Sequence, residues 1–392
     1  MRVCFVCHEY PPAPHGGIGS VVHTLSRALA RRNHAVRVVG CSAGAGRKGD
    51  RRSEDGIDVW RLAGPSHRGS WIHARWGLWR LVAGWARRGE IDLVEVPDWE
   101  GWAAAWGALP VPVTVRVHGS MSYFAAESGR SPRPVDQWLE QASAARADGW
   151  CAVSEYAARR SQALLPFRDR SPAILYNPVE VRRAPPGPRS GHRVLFSGTL
   201  AAKKGVVPLC EAWNLVAAQA PAAELHLYGR DDRAPEGGSM REYLLSHLMP
   251  RSAAKVHFHG PVARARVREA LAQARVAVFP SFAEAFAMAP LEAMEAGCPT
   301  IYTSRGSGPE LIQHGADGLL VDPADVGQLA ATILQVLSDD DLARQLGAAG
   351  RRTASERFST DALIPRNEAF YADAVQAFAD GRRRRAGGAR SA

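Results

Sequence analysis

Short runs of β-branched residues alternate with amphipathic helical patterns along almost the whole chain of 392 residues. The first run, "RVCFVC" (2–7), is followed by a segment with apolar residues at Val22, Leu25 and Leu29, which is a helical period. Alternation of this kind is typical of parallel sheets that are covered by helices on both faces. The sequence therefore predicts an α/β fold built on doubly wound sheets.

A stretch rich in proline, glycine and arginine at 178–192 interrupts this alternation, which then restarts with "RVLFSG" (193–198). Because a single core rarely grows to the size of this chain, we expect two domains. We predict a Rossmann-like N-terminal domain at 1–180 and a second Rossmann-like domain at 192–360, facing each other across a cleft. A helical, alanine-rich pattern at 361–380 has no further strand to follow, and we expect it to pack back on the first domain.

The formal net charge of +10 predicts an anionic partner such as phosphate, lipid head groups or nucleic acid. The basic residues are spread over four segments that resemble loops, helix ends or a tail: 46–52, 86–88, 180–193 and 381–388. Aromatic residues do not interleave with them as they do in nucleic-acid-binding modules. We therefore expect no nucleic-acid partner.

The N-terminus becomes polar too quickly for a signal peptide, and no run approaches the ~18 apolar residues of a membrane-spanning helix. We therefore expect a cytoplasmic protein. The segment 71–88 mixes tryptophan with arginine, which fits either a half-buried core helix with arginine at its rim or a helix resting on anionic lipid. The core helix is the preferred interpretation, and peripheral contact with the inner face of a membrane stays open.

Cys4 and Cys7 have the spacing of a metal-binding pair, but they lie in a strand pattern. Zinc needs about four ligands, and no second pair of Cys or His residues follows them. We interpret both as buried thiols, and we expect neither a metal nor a cofactor.

Two acids, Glu284 and Glu292, stand among small and apolar residues in "SFAEAFAMAPLEAMEAG" (281–297), directly after a predicted strand. Pro290 suits the first position of a helix, which places Glu284 in the loop and Glu292 in the first helical turn. The backbone N–H groups at 287–290 would then form an anion site. Two interpretations stay open: a ligand site, with one acid on sugar hydroxyls and the other on a ribose, or a surface acid beside a favourable first-turn acid.

A second loop after a strand, "SGTLAAKKG" (197–205), contains Gly198, which permits a tight turn. Lys203 and Lys204 in the same loop supply point charges for a diphosphate. The alternative, a lysine pair in a solvated loop, stays open.

In the N-terminal half, Gly16, Gly17 and Gly19 lie between the first strand and the first helix and form only a weak dinucleotide fingerprint. No acid at the end of a second strand completes it, which disfavours a nicotinamide enzyme. His118 ends another strand, from which it can point into the cleft, although a lone histidine is more often structural.

Taken together, these segments resemble the retaining GT-B glycosyltransferases, and specifically glycosyltransferase family 4. The resemblance is carried along both domains by "GGIGSVVHTLSRALARRNHAVRVV", "VHGS", "CAVSEY", "LYNPV", "SGTLAAKKGV", "VHFHGPV", "FPSFAEAFAMAPLEAMEAGCPTIYTSRGSGPELI" and "GLLVDPAD". It implies the GT-B fold and a hexosyltransferase of polysaccharide or glycoconjugate biosynthesis. The donor would be a nucleotide-diphosphate sugar, UDP-sugar before GDP-sugar, and the acceptor a hydroxyl of a saccharide, a lipid-linked molecule or a small molecule.

The resemblance also implies a role for each site residue. Lys204 would bind the diphosphate, Glu284 the hydroxyls of the donor sugar and Glu292 the nucleotide ribose. His118 would lie beside the transferred sugar. The further donor-binding positions that the resemblance implies are Gly17, Gly198, Thr199, Lys203, Val262, Phe286, Ala287 and Met288.

One departure from the family concerns Thr199, where many members have arginine. The diphosphate then loses a fork-shaped cation, and Lys203 would replace it with a point charge. The mechanism that the resemblance implies is metal-independent front-face attack, with the leaving phosphate taking the acceptor proton. A non-catalytic protein and a phosphorylase-like enzyme on the same fold stay as alternatives, and the sequence predicts no particular base, sugar, acceptor, linkage or oligomeric state.

Overall fold

The chain forms two compact units in this computed structural model, which describes residues 1–12, 16–41, 49–64, 70–167, 171–182 and 191–388, with side chains up to 384. The first unit contains Met1–Pro178 together with the chain from Thr360 onwards, and the second contains Val179–Ser359. Both are α/β units, which confirms the predicted fold class.

The first unit is built on an eight-stranded sheet with the order β3-β4-β2-β1-β5-β6-β7-β8. Its strands are β1 (Arg2–Val6), β2 (Ala35–Cys41), β3 (Asp50–Glu54), β4 (Ile57–Leu62), β5 (Leu93–Pro97), β6 (Val113–Val117), β7 (Gly149–Ala152) and β8 (Ala173–Ile174). Its helices are α1 (Gly17–Arg31), α2 (Ser70–Arg87), α3 (Met121–Glu127), α4 (Pro134–Ala144) and α5 (Glu155–Gln162), with a 3-10 helix at Trp99–Gly101. The central strands β5 and β6 are buried along their whole length, as expected for a parallel sheet covered on both faces.

The second unit is built on a six-stranded parallel sheet with the order β11-β10-β9-β12-β13-β14. Its strands are β9 (Arg193–Ser197), β10 (Glu224–Tyr228), β11 (Val256–Gly260), β12 (Val276–Phe279), β13 (Thr300–Thr303) and β14 (Leu319–Val321). Its helices are α6 (Val206–Gln219), α7 (Met240–Ser246), α8 (Pro250–Ala253), α9 (Arg264–Gln273), α10 (Met288–Glu295), α11 (Gly308–Leu311), α12 (Val326–Ser338) and α13 (Asp340–Phe358), with a 3-10 helix at Ala202–Lys204.

The last helix, α14 (Thr360–Gly388), belongs to the first unit and packs against α1. The Nε atom of Arg32, which follows α1, donates to Glu368 at 2.7 Å. Deeper in the unit, the ring of Tyr371 meets Phe5 of β1 edge-on, with the ring centroids 6.4 Å apart. An element from the far end of the sequence thus completes the covering of the first sheet.

Two of the four basic segments differ from the sequence-based expectation. Arg51 and Arg52 lie in the edge strand β3 rather than in a loop, and 381–388 continues α14 instead of forming a tail. The strand β3 forms because it pairs with β4 in an antiparallel hairpin, whose turn residues Asp55 and Gly56 both have positive φ. The expectations for 46–48 and 183–190 lie outside the described residues.

Helix α2 is half-buried, but the expectation that its arginines lie at the rim is wrong for Arg75. The guanidinium of Arg75 is buried, lies over the ring of Trp102 and donates to the carbonyl oxygen of Glu100. Ile72 and Trp76 of the same helix are 56% and 53% exposed. Among the described residues, no helix has the length and apolar character needed to cross a bilayer.

Cys4 and Cys7 are both buried in the first unit, Cys4 within β1 and Cys7 just after it. Burial raises the pKa of each thiol to about 12, so that both are protonated at neutral pH. This confirms their interpretation as buried thiols.

Candidate active site

The strand order of the second sheet reverses between β9 and β12, because β10 follows β9 on one side and β13 follows β12 on the other. In open α/β sheets, ligands bind beyond the carboxyl ends of the strands at such a switch point. The loop with Lys204 follows β9, and the loop with Glu284 follows β12. Both predicted loops therefore lie at the position where this fold binds ligands.

Gly205 holds these two loops together. It follows the 3-10 helix Ala202–Lys204 in a left-handed conformation with φ 71°, and a Cβ atom built on it would lie only 1.7 Å from the carbonyl oxygen of Pro280. Beside it, the backbone N–H of Phe282 donates to the carbonyl oxygen of Lys203 at 2.8 Å. Only glycine fits this close contact, which fixes where the Lys204 side chain begins.

Lys204 and Glu284 form an ion pair between the ammonium Nζ and the carboxylate Oε1. The hydroxyl of Ser281 donates to the same carboxylate oxygen at 3.1 Å. The carboxylate side chain is 9% exposed and the lysine side chain 26% exposed. The pair therefore places a partly accessible cation next to a buried, positioned acid at the switch point.

Tyr302 of β13 is buried and close enough to Glu284 to interact with its charge, and it was not predicted as a site residue. Its hydroxyl lies next to Ser307 and the backbone of Ala287. Burial, together with the Glu284 carboxylate, raises the pKa of Tyr302 well above its usual value, so the hydroxyl is a neutral donor. A tyrosine in a strand pattern such as "TIYTS" carries no signal that separates it from an ordinary core residue.

The N-terminus of α10 lies in the same loop. Ala287 is its N-cap, and no side chain of the described residues caps the helix there. Phe286 and Ala287 are buried, while Met288 is half-buried. The backbone N–H groups of this first turn have no intrahelical partner, which is the local chemistry of an anion site.

The predicted start of this helix is two residues late. Helix α10 begins at Met288, so Pro290 is its third residue and Glu292 its fifth, rather than the first residue and a member of the first turn. Proline fits there because none of the first turn's N–H groups has a carbonyl partner within the helix. Glu292 consequently lies one turn into the helix.

Glu292 is paired with Arg264, a residue that was not predicted to belong to the site. The Nε atom of Arg264 donates to Glu292 Oε1 at 2.8 Å, and a second guanidinium nitrogen contacts the same oxygen. Arg264 is the first residue of α9, two positions after Val262, which is 38% exposed. One turn further, burial and the charge of Arg264 lower the pKa of Arg268. A buried acid such as Glu292 requires a cation as its partner. Arg264 is 28 residues away in the sequence, and this separation does not identify it as that cation.

The remaining predicted positions of the second unit lie in the loop that follows β9. Gly198 adopts φ 152°, and its N–H donates to the carbonyl oxygen of Tyr228 at 2.8 Å. Thr199 and Lys203 are half-buried. These positions surround Lys204, and their roles toward a ligand stay predictions.

In the first unit, His118 directly follows β6, and Asp98 fixes its backbone. The carboxylate oxygens of Asp98 accept from the N–H of His118 at 2.9 Å and from that of Gly119 at 3.1 Å. Burial, with the nearby charge of Arg116, lowers the pKa of the His118 imidazole to about 3. Burial raises the pKa of Asp98 to about 7, although the two N–H groups oppose this. His118 is therefore neutral at physiological pH and available as a hydrogen-bonding group.

Gly17 is the first residue of α1, after the undescribed residues 13–15. No described atom lies within 4 Å of a Cβ built on Gly17, so the described residues do not crowd this position. The carboxylate of Glu9, which was not predicted, accepts from the N–H of Gly16 at 2.9 Å and from that of Gly19 at 2.8 Å. An acid of the chain itself thus stabilises the N-terminus of α1.

The fold as a whole resembles solved glycosyltransferase structures. The chain matches the sucrose-phosphate synthase from Thermosynechococcus elongatus with a TM-score of 0.80 and 20% identity, covering 95% of this chain and 98% of that one. It matches the Anabaena protein HepE, solved in complex with UDP and glucose, with a TM-score of 0.71 and 17% identity over 95% and 99% of the two chains. These likenesses show that the chain has the GT-B fold of two Rossmann-like domains.

Sequence comparison agrees with this fold. A family model described as Glycosyltransferase Family 4 matches residues 15–183, and one described as Glycosyl transferases group 1 matches residues 191–339. The glycogen synthase of Mycobacterium tuberculosis strain H37Rv is 26% identical over 404 residues, with 95% of this chain and 94% of the relative covered. The chain therefore belongs to the group 1, or family 4, glycosyltransferases. It is a glycosyltransferase, as predicted.

Proposed function

We propose that this glycosyltransferase moves a hexose from a nucleotide-diphosphate sugar to a hydroxyl of a saccharide, lipid-linked or small-molecule acceptor, with retention of the anomeric configuration. The observation that carries the proposal is the Lys204–Glu284 ion pair at the switch point of the second sheet. A UDP-sugar is the preferred donor and a GDP-sugar the next. The structurally similar protein HepE, which was solved with UDP and glucose, supports this preference.

The donor would engage the second unit along the strand ends. The diphosphate would take the ammonium of Lys204 away from Glu284, which would then be available to the hydroxyls of the sugar. The N–H groups at the start of α10 would supply further positive potential. Glu292 would bind the ribose hydroxyls while Arg264 holds its carboxylate in position, and the exposed Val262 would lie near the base.

The chemistry follows from charge that develops on the leaving diphosphate. The acceptor oxygen forms a bond to the anomeric carbon on the face from which the phosphate oxygen departs, and that phosphate takes the acceptor proton. Lys204 and the α10 N-terminus stabilise the negative charge, so this scheme requires no metal ion. The protein contributes position and electrostatic stabilisation rather than a nucleophile.

From the first unit, we propose that His118 donates a hydrogen bond to the transferred sugar. A neutral imidazole suits this role because it polarises a hydroxyl without adding a fixed charge near the reacting carbon. The open backbone at Gly17 would permit the close approach of a phosphate or acceptor group.

Calorimetric titration with UDP, GDP and ADP tests the donor class. We expect one nucleotide to bind tightly, and the Glu292→Gln variant to bind it about tenfold to 100-fold more weakly, because a charged hydrogen-bond acceptor is lost. Glu236→Ala, an exposed acid of the same unit, is the control and should bind like the wild type.

Two results would contradict the proposal. The absence of binding by all three nucleotides to folded protein would remove the donor assignment and favour a non-catalytic or phosphorylase-like protein. Once a donor is found, proton NMR of the first product formed would reveal its anomeric configuration, and an inverted product would exclude the retaining scheme.

A further inference from the structure

The edge of the second sheet carries a cluster of metal-binding side chains that the glycosyl-transfer scheme does not use. His226 of β10 and His257 of the edge strand β11 are direct neighbours in the strand register. Glu224 precedes His226 by two residues and therefore lies on the same face of the sheet. Three potential ligands from two hydrogen-bonded strands are thus brought to one point.

The distances within this cluster are close to those between the ligands of a tetrahedral metal. The Oε2 atom of Glu224 lies 3.3 Å from His226 Nε2 and 3.7 Å from His257 Nε2. One ligand atom from each of the three residues lies within 4.8 Å of the others. Zinc bonds of 2.0–2.2 Å separate neighbouring ligands by about 3.3–3.6 Å, so small side-chain movements suffice to coordinate one ion.

The surroundings orient the imidazole of His226. The Nδ1 atom of His226 lies 2.9 Å from Nε2 of His259, which leaves His226 Nε2 directed at Glu224. The ring of His259 is in turn stacked on Tyr228, with the centroids 4.1 Å apart. Outer partners of this kind fix the tautomer and orientation of metal-binding histidines.

The nitrogen of His257 that faces Glu224 has no other partner. The His257 side chain is 42% exposed, but its Nε2 atom is buried and makes no hydrogen bond within the part of the chain that the structure describes. A buried nitrogen without a partner is costly, and a metal ion would satisfy it. The charge of Arg193, which pairs with Glu224 in the register, opposes a bound cation, so the carboxylate is needed for binding.

We propose that Glu224, His226 and His257 bind one zinc ion, with water as the fourth ligand. Imidazole nitrogens and a carboxylate are ligands that suit zinc. The ion would join the edge strand β11 to β10, and β11 leads through Gly260 to the loop that carries Val262. The three ligands are not among the residues proposed to bind the donor, and the ion would hold the edge strand in place.

Zinc titration of the chelator-treated full-length protein tests this inference. We expect one equivalent of ZnCl2 to bind in calorimetry and to raise the thermal midpoint, and one equivalent of Co²⁺ to give visible d–d absorption. His257→Ala and Glu224→Gln should each weaken zinc binding at least about tenfold. His73→Ala, which removes an exposed histidine on α2 of the other unit, should bind zinc like the wild type.

Two results would overturn the proposal. In the first, the wild-type protein binds no stoichiometric zinc. In the second, the His257→Ala and Glu224→Gln variants bind zinc as tightly as His73→Ala does. Far-UV circular dichroism shows whether each variant is folded. Should His257→Ala fail to fold, Glu224→Gln decides alone, because it preserves the shape of the side chain. Nucleotide binding is measured on the same samples, and we expect zinc removal to leave the proposed donor chemistry intact.

Discussion

Lys204 differs from most surface lysines because its ammonium has a buried, positioned counter-ion in Glu284. The ion pair keeps the side chain in one orientation before any donor binds. In the proposed scheme, donor binding moves the ammonium from Glu284 to the diphosphate, so the charge is in place before the transition state and needs no reorganisation at the moment of reaction. The arrangement therefore suits the proposed stabilisation of the leaving diphosphate.

We predict that Lys204→Met lowers kcat by about 100- to 1,000-fold, because one charged contact to the leaving group is lost. Donor affinity, measured by calorimetry, should fall less than kcat. Lys203→Met serves as the matched comparison. A smaller loss of kcat in this variant would identify Lys203 as the second cation, which binds the diphosphate near Thr199. A Lys204→Met enzyme with near-normal turnover would show that the diphosphate is stabilised elsewhere.

The residues of the site were predictable to different degrees. Lys204 and Glu284 could be located because strand patterns end just before their loops, and strand ends are where this fold binds ligands. Arg264 could not be assigned, because its contact with Glu292 depends on how α9 packs beside α10. Glu9 was missed for a different reason, since its partners are backbone N–H groups seven and ten residues away, which have no residue-specific pattern.

At the scale of elements, the two loops after β9 and β12 act as one unit because Gly205 packs directly on the backbone of Pro280. A side chain at this position would push the loops apart and separate Lys204 from Glu284. The relative position of the two loops therefore depends on a glycine, which has no side chain that could act on a ligand.

We predict that Gly205→Ala lowers both the thermal midpoint and the activity. The built Cβ lies 1.7 Å from the Pro280 carbonyl oxygen. The left-handed backbone conformation adds a further destabilisation of about 1–2 kcal/mol for alanine. Gly315→Ala is the matched control, since Gly315 has φ 79° but no described atom within 4 Å of its built Cβ. Equal effects of the two substitutions would mean that backbone strain, rather than the contact with Pro280, is responsible.

The helix and strand boundaries show where local sequence patterns are insufficient to predict secondary structure. The start of α10 was predicted two residues late, because proline fits any position of the first turn and not only its first residue. The strand β3 was missed, since "DRRSE" has no apolar alternation and is extended only through pairing with β4. The dipeptide Asp55–Gly56 between them is a hairpin signal that could have identified it.

At the scale of the whole molecule, α14 completes the first unit through a buried polar network. The guanidinium of Arg116 donates to both carboxylate oxygens of Glu95, to Asn367 at 2.7 Å and to the hydroxyl of Tyr371 at 3.1 Å. The Tyr371 hydroxyl in turn donates to Glu95 at 2.9 Å. All four side chains are at most 3% exposed, so water cannot replace a missing partner.

We predict that Tyr371→Phe destabilises the first unit by about 1–3 kcal/mol, because Arg116 and Glu95 each lose a hydrogen bond without access to water. Urea unfolding followed by limited proteolysis measures the effect and assigns it to a unit. Tyr243→Phe, on the half-buried helix α7 of the second unit, is the control and should change the midpoint little. A Tyr371→Phe midpoint equal to that of the control would show that α14 is held by apolar packing alone.

The order of these elements along the chain also has a consequence for biosynthesis. Arg116 and Asn367 are 251 residues apart, and the whole of the second unit lies between them. At a translation rate of about 5–20 residues per second, Asn367 is synthesised about 13–50 s after Arg116. The second unit thus emerges complete from the ribosome before the first one, and the residues that α14 covers in the folded protein stay exposed during synthesis.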